Sequence, residues 1–215
     1  MSRGFTKKWT RENAESLATR LKKTIKPSSA LKQRLNLAIR HIESQIKKLN
    51  RSVDRFSKRD KTIFDYIVKA YSKQDTLRAR ILANELAEIR KVEKALSQAK
   101  LALESISFRL KTVSEFGDVI TILAPAVKVL NNVKSGLSKI FPEAEAELGN
   151  VGEMLNEIVT TTSQQTGLPI NFEAANEEAK KILQEAALIS EKRIKERLPE
   201  LPAKVPAREK AKLKA

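Results

Sequence analysis

The sequence predicts an all-α protein, a long antiparallel helical hairpin followed by shorter acidic helices. Three observations carry that prediction. Apolar residues recur at steps of four and three across residues 35–70 and again across 82–113, the heptad signature of paired helices. Glycine is nearly absent from the first half, with only Gly4 before Gly117, and no alternating Val, Ile and Thr stretch marks a strand. Aromatics are 5% and charged residues 32% of the 215 residues, a balance that suits long helices with narrow seams better than a thick globular core.

Residues 1–27 read as an amphipathic basic segment. Phe5, Trp9, Leu17, Leu21 and Ile25 fall at multiples of four counted from residue 5, with Asn13 filling the gap; Arg3, Lys7, Lys8, Arg11, Arg20, Lys22 and Lys23 surround them. An apolar stripe that carries an indole and is bordered by cations suits a membrane interface. Each cation near an anionic leaflet contributes about 1 kcal/mol. Packing onto the hairpin is the competing expectation, because steps of four drift around a 3.6-residue helix.

The hairpin is expected over 28–116. Pro27 precedes the first helix, and Ser28 or Ser29 can cap its free N–H groups. Its seam runs through Leu35, Ile39, Ile42, Ile46, Leu49, Val53, Phe56, Asp60, Ile63, Ile67 and Ala70, with Asp60 as a polar interruption. A helix over 28–71 is about 66 Å long at ~1.5 Å per residue. Ser72, Lys73, Gln74 and Asp75 form the turn, with Asp75 placed to cap the second helix. That helix repeats the seam through Leu82, Leu86, Ile89, Val92, Leu96, Ala99, Leu103, Ile106, Leu110 and Val113. So short a connection makes the two helices antiparallel neighbours, and the seam residues their shared core.

The outer faces of this hairpin are expected to be basic. The first helix carries Arg34, Arg40, Lys47, Lys48, Arg51, Arg55, Lys58, Arg59 and Lys61, the second Arg78, Arg80, Arg90, Lys91, Lys94 and Lys100. The charge is sorted along the chain. Residues 1–111 hold 28 Lys and Arg against 11 Asp and Glu, residues 112–191 hold 5 against 12, and residues 192–215 hold 9 against 3. Such a chain can bind a polyanionic surface with its basic half and fold its acidic half back onto the same surface.

The acidic helices are expected over 117–166. Asp118 caps a third helix reaching about Ile140, with Pro125 bending it or lying near its start. Pro142 breaks the chain, and a fourth helix follows from Glu143 to Thr162, weakened by Gly149 and Gly152. The polar run 160–167 reads as a linker. A regulatory helix then occupies 167–197, its regular part spanning Phe172 to Arg197. Short seams broken by Gly and Pro make these helices detachable rather than rigidly docked. The tail, 198–215, repeats an apolar-Pro pair at Leu198-Pro199, Leu201-Pro202 and Val205-Pro206. Prolines at that density favour an extended strand that fits a partner's groove.

Several classes are excluded or disfavoured. There is no Cys, so no disulfide or thiolate metal site. His41, the only histidine, lies beside the first seam without converging partners. No phosphate-cradling Gly-rich loop and no His/carboxylate metal spacing occurs, so the chain reads as no enzyme, with no cofactor and no metal. No apolar run approaches the ~20 residues of a membrane span, and the basic N-terminus lacks the apolar core of a signal peptide. The expectation is a cytoplasmic protein, with any membrane contact peripheral.

The basic hairpin at 28–113, the acidic helices after it with Glu153-Met154-Leu155, and the run Arg197-Leu198-Pro199-Glu200-Leu201-Pro202-Ala203-Lys204-Val205-Pro206 together resemble the ESCRT-III family. The likeness is to its archaeal cell-division paralogues of CdvB type and covers most of the chain. The helical parts are weakly specific, whereas the tail looks like the proline-rich class of MIT-interacting motif. The resemblance implies subunits that open from a closed, autoinhibited form and polymerise, with themselves and with paralogues, on anionic membrane. The filaments would constrict and sever membrane at the division site. A AAA+ ATPase of CdvC type would disassemble them, its MIT domain docking Leu198, Pro199, Leu201, Pro202, Val205 and Pro206. Membrane contact would fall to the cations and aromatics of the N-terminal segment together with Lys47, Lys48, Arg51, Arg55, Lys58 and Arg59. With no strand-like pattern after the proline motif, the chain looks like a shorter paralogue, and the winged-helix segment of the longer one is not expected. Two other readings stand beside this one. A nucleic-acid-binding coiled coil shares the basic charge but lacks stacking platforms and base-reading motifs, so nucleic acid is not expected. A structural adaptor would use the same tail on a polyproline-reading domain.

Overall fold

The computed structural model describes residues 29–116 and 119–197. The N-terminal segment, the Asp118 cap and the proline tail with its docking residues lie outside the described residues. Five helices follow one another: α1 (Ser29–Ser72), α2 (Thr76–Phe116), α3 (Val119–Leu137), α4 (Pro142–Thr166) and α5 (Phe172–Arg197).

Helices α1 and α2 form the expected hairpin. Asp75 closes the turn from its side chain, accepting the Arg78 backbone N–H on Oδ1 at 3.0 Å, as an N-cap does. Gln74 turns the chain with a left-handed φ of 60°. Cross-hairpin pairs fix the register: Arg90 with Asp60, Lys100 with Asn50, Lys111 with Glu43. The seam is buried as its period requires, with Leu35, Ile42, Leu49, Ile67, Leu86, Leu96, Leu103, Ile106 and Leu110 essentially inaccessible.

The apolar interior divides along the hairpin. Near the turn a small cluster of Ile63, Ile67, Leu86 and Ile89 stands by itself. The other end joins a large core that takes in α3, α4 and α5. There α2 is buried on more than one side, since Leu101 and Ala102 join its seam residues where α3 and α5 pack on it. Helix α4 packs on α3 and reaches α1, and α5 lies on α2 and α3. The acidic half is thus wrapped onto the hairpin.

Two boundaries differ from expectation. Helix α3 stops at Leu137, short of Ile140, and the backbone N–H groups of Ile140 and Phe141 both bond the Leu137 carbonyl in the turn. Pro125 lies inside the helix and is buried there. Helix α4 starts at Pro142, where the missing N–H costs nothing, and continues to Thr166 instead of yielding to a linker at residue 160. Within this helical run the hydroxyls of Thr160 and Thr166 bond carbonyls one turn back, those of Asn156 and Thr162. Gly167 ends it in the left-handed region at φ 69°, its N–H on the Ser163 carbonyl. Asn171 then caps α5, accepting the Ala174 N–H at 3.0 Å.

The glycines of α4 do not undock it. Gly152 is buried, and α4 seals Leu148, Val151, Leu155, Ile158 and Val159 against the core. Beside the two glycines a groove of about 480 Å³ opens between α3 and α4, lined in part by Lys128, Asn131 and Lys134.

Candidate functional site

The hairpin's cations divide into an open set and a covered set. On α1, Lys47, Arg51, Arg55 and Lys58 are exposed and follow one another at steps of four, four and three. That spacing puts them on one face of the helix. Arg51 Nε donates to the Lys47 carbonyl, and the Arg55 guanidinium stands 5.7 Å from the Phe56 ring. Lys48 and Arg59 stand differently: Lys48 pairs with Glu147 of α4 at 2.8 Å, and Arg59 with Glu85 of α2 at 2.7 Å.

The covered set meets the acidic helices. From α4, Glu147 takes Lys48 and a hydrogen bond from the buried Gln45. Glu157, also on α4, takes Arg34 at 2.8 Å. From α5, Glu178 takes Arg109 at 2.8 Å and Glu191 approaches Lys94 at 3.8 Å. The Glu191 carboxyl is held below its ordinary pKa by the hydrogen bond from Lys195, then by the charges of Lys195 and Lys94. Glu177 is likewise lowered, by Lys180. Glu191 is therefore ionised at neutral pH, as an acid facing Lys94 must be. Each pair is solvated and contributes little by itself; the apolar contacts beneath supply most of the docking.

One cluster lies deeper. The seam interruption at Asp60 is fully buried, and Arg90 answers it with a fork, Nε to Oδ2 at 2.6 Å and Nη2 to Oδ1 at 3.2 Å. Arg90 therefore belongs to the seam, not to an outer basic face. One turn further along α2, Glu93 is 1% exposed. Its Oε2 has no hydrogen-bond partner among the described residues. The Ser57 hydroxyl faces the Glu93 carboxyl as a donor and accepts from Arg197, the last residue of α5, at 3.4 Å. Burial first, and the Asp60 charge second, push the Glu93 pKa up; Arg197, Arg90 and the Ser57 hydrogen bond pull against them.

Reading the sequence missed Glu93, because it follows the seam position Val92 and looks like one more surface acid. The register held a signal for Arg90: a carboxylate in the seam at 60 calls for a cation opposite, and the antiparallel hairpin places residue 90 there. His41 is exposed. No group of three His, Cys, Asp or Glu residues able to hold a metal occurs among the described residues. Nor, among them, is any helix long and apolar enough to cross a membrane.

The Snf7 family profile matches residues 29–206. Cell division protein B1 of Sulfolobus acidocaldarius is 40% identical over 83% of this chain and 83% of its own length. Cell division protein B of the same organism is 33% identical over 80% of this chain and 67% of its own. Cell division protein B3 is 28% identical over 71% and 82%. No solved structure matches this chain significantly. The chain belongs to the Snf7, or ESCRT-III, family, whose members are structural proteins and not enzymes.

Proposed function

We propose that this chain is a filament-forming subunit that polymerises on anionic membrane and drives constriction and scission in archaeal cell division. The observation that carries the reading is the division of the hairpin's charge. Lys47, Arg51, Arg55 and Lys58 present an open cationic row, while Lys48, Arg34, Arg109 and Lys94 are occupied by acids of α4 and α5. The arrangement is that of a closed subunit whose surface is partly spent on itself. Its relatives carry cell division in their names, which supports the cellular process.

Further assignments follow from the same reading. Removal of α5 takes Glu178 and Glu191 away from Arg109 and Lys94 and lengthens the basic field, which strengthens attraction to a leaflet. Near the turn Tyr66, Val68, Leu77 and Ile81 are exposed beside the small cluster, an apolar surface suited to another copy or a paralogue. The N-terminal segment, with Phe5 and Trp9, supplies an interfacial anchor. The tail at Leu198, Pro199, Leu201, Pro202, Val205 and Pro206 is the handle for the MIT domain of a AAA+ ATPase. The protein works at the cytoplasmic face of the membrane, peripherally.

Co-sedimentation with vesicles containing anionic lipid tests this. Reversing Lys47, Arg51, Arg55 and Lys58 to Glu is expected to lower binding at least about tenfold, since each cation contributes about 1 kcal/mol. Unchanged binding overturns the assignment of that face. Equal retention on duplex DNA would leave charge alone as the explanation. Electron microscopy of the chain with and without residues 167–215 addresses closure, and filaments should form more readily after truncation.

A further inference from the structure

We propose that Glu93 is a proton-sensitive brake on closure: ionised, it opposes the docking of α5, and neutral, it favours it. The proposal rests on the reading above, that the α5-docked arrangement is the closed state.

Two carboxylates are buried in one hairpin seam, Asp60 at 0% and Glu93 at 1% exposure. Arg90 forks onto both Asp60 oxygens. Glu93 keeps an oxygen without a partner among the described residues. Docking of α5 brings Arg197 near, but its guanidinium reaches the intervening Ser57 hydroxyl at 3.4 Å and makes no ion pair with Glu93. The groups facing Glu93 are Ser57 and Asp60 from α1, Arg90 from α2 and Arg197 from α5. A buried charge with so few partners costs free energy that the neutral acid avoids.

The sign follows from linkage. With α5 docked, the Glu93 pKa stands above its ordinary value, burial and Asp60 outweighing Arg197, Arg90 and Ser57. With α5 released, water reaches the seam and lowers the Glu93 pKa by more than the loss of the Arg197 charge raises it. The closed form therefore binds the proton more tightly. The Glu93 contribution to closure is fully present below the ordinary carboxylate pKa and is lost progressively as pH rises through the raised one. A simple Arg197–Glu93 latch would show the opposite dependence.

The chain has no cysteine, so Asn84→Cys and Arg193→Cys, both at exposed positions, give a donor–acceptor pair reporting the distance from α2 to α5. Energy transfer in the full chain is followed from about pH 4 to pH 8, a range spanning ordinary and raised carboxylate values. The wild-type profile is expected to step down as pH rises. E93Q should raise the closed-to-open ratio at neutral pH at least about threefold and flatten the step. E93M, neutral and apolar, should do the same, and R197Q should move the step to higher pH. Opening of the chain by E93Q and E93M, or a profile that neither changes, overturns the proposal. Low transfer at every pH in wild type and variants alike shows instead that α5 is not docked, and then the closed-state reading itself falls.

Discussion

Helices α4 and α5 both cover the hairpin with acids, yet they hold it by different means. Helix α4 buries Leu148, Val151, Leu155, Ile158 and Val159, side chains that each contribute about 1.5–3 kcal/mol when fully buried. Helix α5 buries Ala175, Ala179, Ala186 and Ser190, with Ile182 the one large side chain among its buried residues. A methyl group is worth about 0.8 kcal/mol, and the Ser190 hydroxyl is buried without a partner. The pairs to the hairpin are alike, two from each helix. The difference lies in the apolar contact, and it teaches that the acidic half does not detach as one piece. Both helices join the core, α4 with large side chains and α5, the lighter cover, mainly with alanines.

Four measurements can break or sharpen that comparison. Leu155→Ala should lower global stability by about 2–5 kcal/mol in urea unfolding; a loss under about 1 kcal/mol would demote α4 to a cover like α5. Ile182→Ala should sit at the low end of that range, about 2 kcal/mol, and act locally. Hydrogen exchange should rise in α5 while the global unfolding midpoint moves little. Raising NaCl from about 0.05 to 0.5 M should speed α5 exchange a few-fold, because its exposed pairs Arg109–Glu178 and Lys94–Glu191 are screened; equal acceleration in α4 would count against an apolar hold there. The smallest effect is Gly149→Ala, expected to stabilise by up to about 1 kcal/mol. The new methyl meets only the end of Lys134, at 3.3 Å from Nζ, a flexible group able to shift.

Much of the fold was legible because its signals are local and periodic. The heptad seams of α1 and α2 placed nearly every core residue of the hairpin, and Asp75 announced its own cap. The start of α5 at Phe172 and its end at Arg197 also stood as read. The misread stretches were those where local chemistry works both ways. Thr160 and Thr166 suit a linker by composition but bond back to helix carbonyls, and Gly149 and Gly152 suggest a weak helix until neighbours bury it. For the site, the cationic row of α1 was visible in spacing alone, whereas its separation from Lys48 and Arg59 depends on where Glu147 and Glu85 come to rest.

By itself the sequence determined the two long helices, their antiparallel pairing and the sorting of charge into basic and acidic halves, all properties of period, spacing and composition. Tertiary structure decided which cations stay open, which acids they meet, that α5 is the lighter cover, and that Glu93 is buried beside Asp60. These depend on contacts between residues far apart in the chain, where free energy comes from desolvation and packing at a meeting point that no local pattern encodes.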